Sequence, residues 1–200
     1  YLMTSWRDTL FVWQGPLEVD EGEKKVLWKG TWIGCEECPD AKDVDMPIHF
    51  NESEMTFNLT GNIQKRGDAY QIRFMDGTWD LQGDKEKTVE CHGDEEHLVY
   101  VPSIDRAVLK GRTKPVAAVG ANAFGHFVSA GIITAPTKKK SGELVLTLAR
   151  RYIEGEDVRV KCSARDVYIK IAESDNNEVG WKISDLHAKT RLSKRKRKRK

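Results

Sequence analysis

Apolar residues recur at every second position through most of the chain, the spacing that sends alternate side chains to opposite faces of an extended strand. Residues 26–33 are rich in aromatic and β-branched side chains and stop at Gly34. Residues 55–60 alternate apolar and polar before Gly61-Asn62, and residues 70–74 alternate again before Asp76-Gly77. That Asp-Gly pair predicts a two-residue turn, with Thr78-Trp79-Asp80-Leu81 returning antiparallel. Four more apolar-rich segments, 97–101, 116–119, 124–134 and 144–153, are separated by Pro, Gly or Lys/Ser punctuation. Lys138-Lys139-Lys140 and Gly142 predict an exposed hairpin loop between the last two.

Short strands at this spacing, without a regular helical period between them, predict an all-β fold, either an antiparallel sandwich or a small closed barrel of about eight strands. The chain then divides into 1–25, a leader or additional edge strand; 26–153, the main antiparallel β domain; 154–187, a C-terminal β hairpin or short extension; and 188–200, a polybasic tail. Residues 158–162 and 167–171 alternate cleanly enough to supply the C-terminal hairpin. In the leader, Trp6, Phe11 and Trp13 are candidates for an anchoring segment, with the extra edge strand preferred. Trp13-Gln14-Gly15 recurs as Trp28-Lys29-Gly30, and Gly30-Thr31-Trp32 as Gly77-Thr78-Trp79. The two spacings disagree, so the echoes read as aromatic strands ending at glycine bends and not as a repeat.

Charge changes the picture at one end. Of 33 Lys/Arg, nine fall in residues 188–200, which hold no acid; the remaining 24 face 31 Asp/Glu, so the body is −7 and the tail +9. Lys194, Arg195, Lys196, Arg197, Lys198, Arg199 and Lys200 run without interruption, and such a segment is expected to be disordered because its charges repel and nothing in it can pack. It predicts a nuclear protein, with the tail held by an import receptor and available as a nonspecific nucleic-acid tether. Ser193 abuts the cluster, where phosphorylation would subtract charge. No apolar run approaches the roughly 18 residues of a membrane-spanning helix.

The chemistry-bearing patterns are incomplete. Cys35-Glu36-Glu37-Cys38 has the separation of one zinc knuckle, with His49, Cys91 and His92 as possible completers, but no second knuckle follows. The flanking glutamates also oppose thiolate formation, and Cys35, Cys38, Cys91 and Cys162 are expected to be reduced and metal-free. His92-Gly93-Asp94-Glu95-Glu96-His97 gathers two imidazoles and three carboxylates, yet matches no zinc-protease spacing and reads as a solvated loop. The sequons at Asn51 and Asn58 are expected to be ordinary polar positions. Neither a nucleophile elbow nor a Walker phosphate loop occurs, so the sequence points away from catalysis and calls for no cofactor.

Trp28-Lys29-Gly30-Thr31-Trp32, with Leu148-Ala149-Arg150-Arg151-Tyr152 far downstream, resembles the calycin pattern of lipocalins and fatty-acid-binding proteins. The resemblance implies an eight-stranded barrel around a small hydrophobic ligand, with Arg150 or Arg151 lying over the indole of Trp32. Asn122, Phe124 and His126, in the glycine-rich stretch 120–131, would then line the ligand at a sheet bend; otherwise this stretch is a tightly packed central strand. Two functions follow: a noncatalytic nuclear β-domain that binds an unidentified protein partner, and a calycin-like barrel that binds a small hydrophobic ligand.

Overall fold

The computed structural model describes residues 9–35, 55–81, 84–91, 96–109, 113–135 and 144–174. Nine strands lie among the described residues: β1 (Leu10–Asp20), β2 (Lys25–Cys35), β3 (Thr56–Arg66), β4 (Ala69–Leu81), β5 (Asp84–Cys91), β6 (Glu96–Val101), β7 (Thr113–Asn122), β8 (Gly125–Thr134) and β9 (Leu144–Ile153). Two helices, α1 (Arg106–Leu109) and α2 (Ala164–Ser174), and a 3-10 turn at Val158–Lys161 complete the described elements. All pairings are antiparallel, and eight strands close on themselves in the order β1-β2-β3-β4-β6-β7-β8-β9, with β9 returning to β1. The fold is therefore the barrel, not the sandwich. At the closing pair Gln14 Nε2 donates to Thr147 Oγ1 at 3.0 Å.

The first strand is not an edge. Residues 10–20, placed in the leader by sequence, pair with β2 on one side and β9 on the other, so the barrel cannot close without them. The two Trp-x-Gly echoes lie on these neighbours: a Cβ on Gly15 would meet the carbonyl oxygen of Lys29 at 1.8 Å, and one on Gly30 would meet that of Gln14 at 2.0 Å. Real Cβ atoms do not approach backbone that closely, so glycine at both positions lets the two strands cross in contact.

The expected Asp76-Gly77 hairpin is also corrected. Residues 69–81 form one strand along β3, from Arg66↔Ala69 to Phe57↔Trp79, with Met75 as an extra residue where the register shifts between Thr60 and Gly61. Gly77 supplies the left-handed φ of +147° that this bulge needs. The extra residue reverses the phase of the strand, so Ile72 and Phe74 face the core before it and Trp79 after it. The actual β3–β4 turn is Gly67-Asp68, with Gly67 at φ +62° in the first central place, as a type II′ turn requires. Beyond the bulge β4 pairs with β5, which has no apolar alternation to announce it; before the bulge β4 pairs with β6, and β6 continues to β7.

Residues 158–161 and 164–174 are helical, not a β hairpin. Ser163 and Asp166 form a capping box: Asp166 N donates to Ser163 Oγ at 3.1 Å, and Ser163 N donates to Asp166 Oδ2 at 3.0 Å. Two donors at the start of α2 are thereby satisfied, which outweighs the period-two appearance of residues 167–171. Val167 packs on Ala117 and Ala130, whose small side chains on the outer barrel wall leave room for the helix, and Tyr168 meets Tyr100 at 4.7 Å.

Candidate functional site

The barrel interior is built from aromatic rings. Trp13 of β1 stacks on Trp32 of β2, with centroids 5.5 Å apart and planes 15° apart. Trp13 also touches Phe57 at 5.0 Å and Trp79 at 5.5 Å, while Trp28 packs against Phe57 at 4.6 Å and Phe74 at 5.5 Å. These residues are buried because each strand sends alternate positions inward, and the rings interlock across the barrel.

A charge sits among them. Arg150, on β9, is 3% exposed, and its guanidinium carbon lies 4.6 Å from the Trp13 ring centre and 4.1 Å from that of Phe127. The cation is thus held between two π faces. No carboxylate pairs with it among the described residues. Ser129 stands directly opposite on β8 and is fully buried. His97, on β6, reaches the same group through Phe127, 5.3 Å away, and through Trp28, 6.3 Å away. Burial, helped by the positive charge of Arg150, holds the His97 imidazole well below its usual pKa, so it is neutral at physiological pH.

Several polar atoms of this group are buried without a hydrogen-bond partner: Arg150 Nε, Ser129 Oγ, His97 Nε2, and the indole nitrogens of Trp13 and Trp28. At the adjacent end of the barrel, Phe11, Phe124 and Tyr152 form a half-buried rim. Phe11 and Tyr152 are 5.9 Å apart, and Phe124 and Tyr152 6.3 Å. Asn122 fixes this rim by donating from Nδ2 to the Tyr152 hydroxyl at 3.0 Å, while its Oδ1 accepts from Phe124 N at 3.0 Å and shapes the β7–β8 turn.

The residues singled out by sequence therefore separate. Trp32 and Arg150 belong to the interior, but the indole under the Arg150 guanidinium is Trp13, with Trp32 stacked beyond it. Arg151 is on the opposite face of β9, beside Leu10 and Val128 in the register, because adjacent strand residues point to opposite sides. Asn122 and Phe124 meet at the rim, whereas His126 is exposed on the outer face. Cys35 ends β2 and Cys91 ends β5; Cys38, His49, His92, Trp6, the two cationic runs at 138–140 and 194–200, and Ser193 lie outside the described residues. Sequence did not single out Ser129, weighed Trp13 only as an anchoring aromatic, and read His97 as part of a solvated loop, whereas it is buried on β6. Their common signal is a polar or aromatic side chain at an inward strand position, legible only once the strand phases are known.

Comparison with protein-family models, with curated proteins and with solved structures finds no match to this chain.

Proposed function

We propose that this chain is a noncatalytic β-barrel module of the nucleus, whose outer surface engages a protein partner and whose polybasic segment serves as import signal and nonspecific nucleic-acid tether. The observation that carries this reading is the division of charge, a body of −7 joined to a segment of +9. The ring-filled interior supports it, since a barrel occupied by its own side chains leaves its exterior for recognition. A body of net negative charge repels phosphate, so contact with nucleic acid falls to the cationic segment and depends on salt through counterion release. Removing residues 188–200 tests this directly: nuclear accumulation of a tagged protein and its retention on heparin at low salt are both expected to be lost. Unchanged distribution and retention would overturn it.

A second reading is favoured by one feature, the Arg150 guanidinium inside the barrel, which no carboxylate among the described residues pairs. In this reading the barrel binds a small ligand beneath the Phe11, Phe124 and Tyr152 rim. A saturable change in tryptophan emission on addition of a small hydrophobic probe supports it, and a flat titration removes it.

A further inference from the structure

We propose that residues 188–200 dock, within the same chain, in a groove on the outer wall of β1–β4, with Leu192 on its apolar floor and the neighbouring cations at Asp20 and Asp76. This contact regulates the cationic run that the proposed function uses, and it rests on the same division of charge.

The groove has a volume of about 590 Å³ and opens to solvent, which suits a short extended stretch of chain and not a folded domain. Its floor is apolar for two reasons. Leu27 falls between the inward Val26 and Trp28 and so faces outward, half-buried, and the β4 bulge adds Met75 to the same wall. Asn62 Nδ2 donates to Met75 Sδ at 3.2 Å, which holds the thioether there. Glu18, Asp20, Lys25 and Asp76 stand around this floor. Lys25 Nζ is already paired with Glu23 at 2.8 Å, and Glu18 with Lys29 Nζ at 2.8 Å. No cation among the described residues lies within ion-pair distance of Asp20 or Asp76. The groove therefore offers apolar contact beside two unanswered negative charges, and its complement is an apolar residue flanked by cations. Leu192 has that setting, between Arg191 and the run that begins at Lys194.

The chain is also delivered to the right side of the barrel. The 3-10 turn rests on β8, Val167 of α2 packs on Ala117 of β7, and Tyr168 meets Tyr100 of β6, so the path runs from β8 across β7 to β6. β4 is the next strand and β3 the one after, about 15 Å from β7 at the usual strand spacing. Residues 175–187 can span up to about 45 Å when extended. A tether of that length gives the run an effective concentration in the millimolar range, where a weak contact suffices.

The test is carbodiimide crosslinking of the full chain at low ionic strength, with the single-chain product mapped by peptide mass. Lys194, Lys196, Lys198 and Lys200 are expected on Asp20 and Asp76 in preference to Glu154 and Glu156, which are exposed and closer along the chain. Leu192→Ser should reduce the Asp20 and Asp76 products about fivefold by removing the apolar contact, while the charge of the run is unchanged. Asp76→Asn, at an exposed position, should lower the Asp20 product about twofold. Products spread evenly over the exposed carboxylates, or unchanged by Leu192→Ser, overturn the proposal. Products found only between chains overturn it as well, because the run then occupies the groove of a second copy. If the contact is overturned while deletion of residues 188–200 still abolishes heparin retention, the proposed function stands without it. If the contact is found and heparin retention survives that deletion, the contact stands and that function falls.

Discussion

Gly120 and Phe127 compete for one volume: a Cβ on residue 120 would lie 2.3 Å from Phe127 Cζ. The ring crosses the bare backbone of β7 to reach His97 on β6, and its face covers the Arg150 guanidinium at 4.1 Å. A missing methyl on one strand therefore permits the contact that joins the histidine and the arginine. Gly120→Ala is expected to displace the ring and also to press on the Glu96 carbonyl oxygen, 2.0 Å from the added Cβ. Overpacking of this kind costs about 1–3 kcal/mol, and the backbone clash places this substitution at or beyond the upper end. Urea denaturation of the variant checks the size. Adding Phe127→Leu should restore only part of the loss, because the Glu96 carbonyl remains.

His97 makes stability depend on pH in a definite direction. Its folded pKa lies well below its ordinary value near 6.5, so below that pH the unfolded chain takes up a proton that the folded barrel refuses. The stabilisation is fully present above about pH 6.5 and is lost as pH falls, with a slope approaching about 1.4 kcal/mol per pH unit for the single proton. His97→Phe should flatten the denaturation midpoint between pH 7.5 and 5.5 relative to the parent. A parent and variant with parallel pH profiles would place the sensitivity elsewhere.

Docking of α2 depends on its first turn. Ser163 and Asp166 satisfy each other and two backbone donors at the helix start, and close by Ala164 and Val167 are buried against the barrel. Ser163→Ala is expected to cost about 1 kcal/mol, the usual magnitude for a lost N-cap, and Ser163→Thr much less. Hydrogen exchange should show the loss as faster exchange in the α2 amides, with the barrel strands unaffected. Equal acceleration throughout would mean that the helix and the barrel unfold as one unit.

Fold class was legible because alternation is a local property: the alternating segments 55–60 and 70–74 fall on β3 and β4, and the apolar-rich segments 26–33, 97–101, 116–119, 124–134 and 144–153 on β2 and β6 to β9. Closure was not, since the β1–β9 pairing joins segments more than a hundred residues apart and the choice between barrel and sandwich depends on it. β1 was hidden by Gly15-Pro16, which breaks the strand pattern and removes a backbone donor, and β5 by its run of charged residues. Residues 167–171 fit a strand period, but Ala164, Val167 and Ile171 also fit a helical one, and the Ser163-x-x-Asp166 cap was the sequence signal that separates the two. For the candidate site, the sequence offered Arg150 and Arg151 together. Only the phase of β9 assigns Arg150 to the interior, and only the register brings Ser129 opposite it.

The Trp-x-Gly echo has a mechanical meaning that permits a sharper test. Gly15 and Gly30 face each other on β1 and β2, each leaving space for the other's backbone, and the nearest Cα of the partner glycine would be 2.8 Å from an added Cβ in either case. Gly30→Ala and Gly15→Ala should therefore each force the two strands apart beside Trp13 and Trp28, whose rings are 6.4 Å apart. The expected loss in either variant exceeds the roughly 1 kcal/mol that glycine-to-alanine replacement changes at an uncrowded position. Because both changes require the same separation of β1 and β2, the double variant should lose less than the sum of the two, and additive losses in denaturant midpoints would show that the two glycines relieve independent clashes.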